Sequence, residues 1–140
     1  MIQAACYQIY SQDAAALAAF LGYLLEVDSW QQEQPVSQFV VATQPPIKIK
    51  SYTGPPLKAV SPSAEQDALL WQLASPDALE QIMQRAAFFQ YRQQQEGTAP
   101  AILQSQQITL DGRPGWQMLD LDGRRWSFVV AAPPKPYENF

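Results

Sequence analysis

At 140 residues, 47% hydrophobic and 16% charged, the chain is long enough to bury a real core and too apolar to be disordered. Its formal net charge of −4 offers no basic footprint for nucleic acid, whose phosphates require clustered Lys and Arg. With no histidine and one cysteine, Cys6, it has no intrachain disulfide, no cysteine-cluster metal site and no Ser-His or Cys-His nucleophile pair.

The amino end lacks a charged region followed by an apolar run, and no segment approaches the roughly 18 apolar residues of a membrane span. Both absences predict a cytoplasmic protein with no membrane partner. Ala4 to Tyr10, "AACYQIY", has the half-buried alternation of a strand, and Ser11 is placed to cap a helix after it. Leu17, Phe20, Leu21 and Leu24 then recur at the i, i+3, i+4, i+7 spacing of one apolar helical stripe. Extended pieces are predicted at Val27 to Gln31, Gln38 to Thr43 and Ile47 to Tyr52, separated by proline-containing turns. The first half therefore reads β-α-β-β-β.

The prolines between Thr53 and Gln66 mark a linker, taken as 55–66. After it comes a strand, Asp67 to Leu73, and a helix that opens with Ser75 as cap, Pro76 in its first position and Asp77 in its first turn. Leu79, Ile82, Met83, Ala86 and Phe89 supply its stripe, and Gly97 lies beyond its end. Strands are expected at Ala101 to Ile108, Trp116 to Leu121 and Arg124 to Ala131, joined by "DGRPG" and "LDGR", where Asp-Gly signals hairpins. The second half is again β-α-β-β-β. A shift of 64 residues lays "YQIYSQDA" on "WQLASPDA", so that Gln8 meets Gln72, Ser11 meets Ser75 and Asp13 meets Asp77. The chain thus reads as one α+β domain, 1–132, made of modules 1–54 and 67–132, with a proline-rich tail at 133–140.

Two such modules ending in "LDLDGRRWSFV" resemble the vicinal oxygen chelate superfamily, which includes glyoxalase I, bleomycin resistance proteins, fosfomycin resistance proteins and extradiol dioxygenases. The closing run matches at Asp120, Asp122, Gly123, Trp126 and Phe128, with Leu121 in place of a proline. The resemblance implies two mixed sheets curled into a cup, backed by helices, with the ligand inside. It also implies a divalent metal held by His and Glu on the first, fourth, fifth and eighth strands. Here those positions fall on Cys6, on Ile49 or its neighbours Lys48 and Lys50, on Leu70 (Leu69 if the register slips), and on Ser127. None of these makes up a metal-binding set, so the expectation is no metal and no cofactor.

Side-chain alternation then sorts the faces. If Cys6, Leu70 and Ser127 point into the cup, so do Gln8, Tyr10, Gln72 and Arg125, while Tyr7, Ile9, Trp71, Leu73, Trp126, Phe128 and Val130 turn to the helices. Strict alternation in "IKIKSY" puts Lys48 and Lys50 in the cup if Ile47 and Ile49 face the helix; this conflicts with Ile49 as the ligand position. Lys48, Lys50 and Arg125 around the amides of Gln8 and Gln72 would suit a small anionic ligand. The other reading makes the lysines a solvated strand edge and the glutamines ordinary surface residues. Cys6 reads first as a small buried hydrophobe, Asp120 and Asp122 as turn formers. Three functions stay open: a metal-independent binding protein, a divergent lyase- or dioxygenase-type enzyme using other residues, and a metal-dependent enzyme of the superfamily. A homodimer is compatible with each.

Overall fold

A computed structural model describes residues 6–53 and 69–132; the expected linker 55–66 and tail 133–140 lie outside the described residues. The first half runs β1 (Tyr7–Ser11), α1 (Ala14–Leu25), β2 (Ser29–Gln32), β3 (Gln38–Val41) and β4 (Ile47–Ser51). The second runs β5 (Leu69–Leu73), α2 (Pro76–Glu96), β6 (Ile102–Leu110), β7 (Arg113–Asp120) and β8 (Arg125–Val130). Each half forms a four-stranded sheet, ordered β1-β4-β3-β2 and β5-β8-β7-β6. In each, the first strand pairs parallel with the fourth and the remaining pairs are antiparallel. The fold is α+β with two mixed sheets.

The helices form where the apolar spacing placed them. Leu17, Phe20, Leu21 and Leu24 are fully buried on α1, and Leu79, Ile82 and Ala86 are buried on α2. The N-cap of α1 corrects one expectation. Asp13, not Ser11, accepts from the Ala16 amide at 3.1 Å, while Ser11 closes β1 and its Oγ accepts from the Asp13 amide. A carboxylate one residue from the first turn outcompetes a hydroxyl still held in the strand. Since Ser75 does cap α2, Asp13 corresponds to Ser75, and the repeat registers at 62 residues rather than 64. The first strands carry the same offset: Ser11 O, which accepts from the Tyr52 amide, corresponds to Leu73 O, which accepts from the Ala131 amide. A two-residue correction preserves strand parity, so every face assignment survives it.

Between β6 and β7 the turn is Asp111-Gly112 alone, with both φ positive at 51° and 75°. That is the type I′ signature, whose twist matches the flanking strands. Neither helix is long and apolar enough to cross a membrane.

Among the contacts that tie the halves together, Tyr7 on β1 meets Trp71 on β5 edge to face at 5.9 Å, and two further regions bind them more extensively. Phe20 on α1 meets Phe89 on α2 edge to face, with ring centroids 5.0 Å apart, and Arg85 donates to Leu24 O and Glu26 across the same seam. At the far side the β7–β8 turn clasps the end of β1. Asp120, fully buried, accepts at Oδ1 from the amides of Asp122 and Arg124, and at Oδ2 from Trp126 Nε1 (2.8 Å) and Arg124 Nη1 (3.0 Å). Arg124 also donates to Tyr10 O, and the Gln12 amide donates to Asp122 Oδ1. The aspartates are turn formers as expected, and Asp120 is also the centre of the clasp.

Burial pushes the Asp120 carboxyl above its ordinary value of 3.8, against the opposing pull of Arg124, the Trp126 indole and two backbone amides. A carboxyl raised on folding holds its proton more tightly in the native state, so its contribution to stability falls as pH rises from the ordinary value through the folded one. Asp120→Asn turns an amide donor toward existing donors and should cost about 1–3 kcal/mol. Paired urea unfolding of wild type and variant from pH 3.5 to 7 should show the wild-type advantage largest at the acid end and flat above the folded value.

Candidate functional site

Helix cover fixes which side chains remain for ligands. Ile47 and Ile49 of β4 are fully buried with Val41 in the helix-side core, as are Trp126 and Phe128 of β8. Their alternates line the opposite, helix-free face. Lys48 and Lys50 therefore face the cup, and Ile49 does not. On the first sheet Gln8, Lys48, Val40 and Trp30 form one row, with Tyr10 and Lys50 adjacent in the next. Cys6, a half-buried free thiol, precedes β1 with the parity of Gln8.

On the second sheet one row runs Gln106, Gln117, Ser127, Leu70. On one side of it lies Gln104, Leu119, Arg125, and on the other Ile108, Gly115, Val129, Gln72. Val40 and Val129 are buried without joining the helix-side core, as this parity requires. Ser127 is buried on this face too, while Leu70 is 53% exposed, Trp30 49% and Tyr10 46%.

A cavity of about 370 Å³ sits on the second sheet, with Gln104, Gln106, Gln117 and Arg125 around the apolar Leu119. Gln106 Nε2 donates to Gln117 Oε1 at 3.1 Å, and Gln117 Nε2 donates to Ser127 Oγ at 3.2 Å. All the expected site residues share the helix-free side by parity, but they divide between two sheets. Gln8, Tyr10, Lys48 and Lys50 belong to the first; Leu70, Gln72, Arg125 and Ser127 belong to the second. Of these only Arg125 lines the cavity. Gln104, Gln106, Gln117 and Leu119 were missed by sequence reading, although the Asp-Gly turn offered a signal. Counting back from Leu110 opposite Arg113 puts Gln106 opposite Gln117.

No protein-family model matches the sequence, and no curated protein matches it. Among solved structures, lactoylglutathione lyase from Agrobacterium tumefaciens superposes with a TM-score of 0.62 at 10% identity, covering 92% of this chain and 93% of that one. A glyoxylase/bleomycin resistance protein/dioxygenase domain from Frankia sp. EAN1pec gives 0.63 at 13%, covering 94% and 99%. The oxidase ChaP-H2 gives 0.62 at 14%, covering 94% of each chain. The chain shares the fold of these lyase, oxidase and glyoxylase/bleomycin resistance protein/dioxygenase domains.

The superfamily's metal does not fit the groups found at its positions. Leu70 offers no donor atom, Lys48 carries a competing positive charge, and Ser127 Oγ already accepts from Gln117. Ile49 is sealed behind the sheet. Among the described residues no three His, Cys, Asp or Glu side chains gather.

Of the four tryptophans, Trp30 is open on the helix-free face, Trp71 is half-buried on the helix side, and Trp116 and Trp126 are buried. Acrylamide should quench one fluorescence component readily, and Trp30→Phe should remove most of that component with little change in the protected one.

Proposed function

We propose that this chain binds a small anionic molecule in the cup of a glyoxalase/bleomycin-resistance-type fold, without a metal. The observation that carries the reading is the Leu70–Ser127–Gln117 row. Where the superfamily would hold a cation, this chain has a hydrogen-bonded amide and hydroxyl beside an apolar side chain. Lys48, Lys50 and Arg125 supply positive charge on a protein that is acidic overall. The cavity volume falls within the range of small-molecule sites.

Catalysis at this site would need a base other than histidine, and the described face holds neither Asp nor Glu within the cavity lining. Binding or sequestration is therefore favoured over lyase or dioxygenase chemistry.

Elemental analysis of protein purified without chelator should find no stoichiometric Zn, Ni, Mn or Fe; one metal per chain would overturn the reading. Titration with small carboxylates and phosphates should show saturable binding that weakens as ionic strength rises. Absence of binding to every anion would equally sink it.

A further inference from the structure

We propose that the second sheet recognises a carboxylate through the hydroxyl of Ser127, with Gln117 and Gln106 as the residues that position and polarise that hydroxyl. The proposal rests on the small-anion reading above and narrows it to one donor and one class of ligand group.

A serine hydroxyl has one hydrogen to give and two lone pairs to receive with. Ser127 Oγ receives from Gln117 Nε2, so its hydrogen is not spent on Gln117. Among the described residues no acceptor takes that hydrogen, although Ser127 is only 5% exposed. The register aims the side chain at the helix-free face, between Gln117 and Leu70. Ser127 Oγ already has one partner, and a ligand oxygen would be the second that its hydrogen can serve.

Gln106 and Gln117 give the row a direction. Each amide donates toward β8, from Gln106 to Gln117 and from Gln117 to Ser127, and bonds aligned in series polarise one another. The end of that series is the serine O–H, which is thereby a better donor to a negatively charged oxygen. Arg125, two residues earlier on the same strand face, adds positive charge beside the cavity. Leu70 and Leu119 flank the row and suit an apolar ligand body.

Carboxylate is favoured over phosphate because phosphate sites draw on clusters of backbone N–H groups at helix N-termini or in nests. Here β7 is paired on both sides, and its backbone amides are committed to the ladders. The available donors are few and come from side chains. They match the two coplanar oxygens of a carboxylate better than the tetrahedral dianion.

Benzoate and phenyl phosphate, matched in their apolar bodies, test this by calorimetric titration. The wild type should bind benzoate more tightly than phenyl phosphate. Ser127→Ala, which removes the donor with almost no change in volume, should weaken benzoate by at least about tenfold. Gln117→Glu, whose carboxylate accepts the serine hydrogen itself, should do the same. Arg92→Ala, at an exposed position of α2 away from the site, should leave benzoate binding within about twofold of wild type. Circular dichroism and thermal midpoints close to wild type would show that the variants fold. Preference for phenyl phosphate, or benzoate binding unchanged in Ser127→Ala, overturns the carboxylate site while leaving the anion reading intact. Binding of neither probe overturns the carboxylate site, and the wider panel of carboxylates and phosphates decides the anion reading.

Discussion

The structure depends on the parallel pairing of β1 with β4 and of β5 with β8. Parallel neighbours cannot be joined by a tight turn, so a helix must cross over one face of each sheet. That crossover divides every strand into two chemically opposite sets of side chains. Ile9, Ile47 and Ile49 in one half, and Trp71, Trp126 and Phe128 in the other, pack beneath the helices. Gln8, Lys48, Ser127 and Gln117 are what remains. A slip of one residue in β4 would bury two lysines and expose two isoleucines, which holds the register firmly.

The two halves meet through contacts that sequence repetition alone does not supply. The helix seam at Phe20 and Phe89 is apolar and adaptable, whereas the Asp120 clasp is polar and directional, with both Asp120 oxygens hydrogen-bonded. Arg124 uses one end of its guanidinium on Asp120 and the other on Tyr10 O, so the turn that starts β8 is registered against the strand that starts the cup. The clasp has no counterpart in the first half, where residues 42–46 contain two prolines in place of the Asp-Gly turn. The two sheets share strand order and pairing, and the clasp is one place where the halves differ.

Most of the fold was legible because periodicity and turn chemistry agreed. The stripe of α1, the Ser75 cap and the Asp-Gly turns all lie where the sequence pattern places them. The cap of α1 was misread because Ser11 and Asp13 are both capping residues two positions apart, and only geometry shows which has left the strand. Site parity was legible in β1, β5 and β8. In β4 two criteria conflicted, and the cost of burying Lys48 and Lys50 decided between them. The amide row was not seen in "LQSQQITL", since no single strand reveals a row that crosses three. Gln106, Gln117 and Ser127 become neighbours only through two registers taken together.

On the helix-free face of the second sheet the chain places the side-chain amides of Gln106 and Gln117 and the hydroxyl of Ser127 in one hydrogen-bonded row, and under the proposed function that row is an anion site. The central claim is that the helix-free face of the second sheet takes the ligand. Side-chain amide resonances report on it directly. On addition of benzoate to 15N-labelled protein, the NH2 signals of Gln106 and Gln117 and the backbone amide of Ser127 should shift along saturable curves, with α1 and α2 unmoved. Shifts confined to the helices or to Lys48 and Lys50, with the Gln117 signals unchanged at saturation, would contradict it.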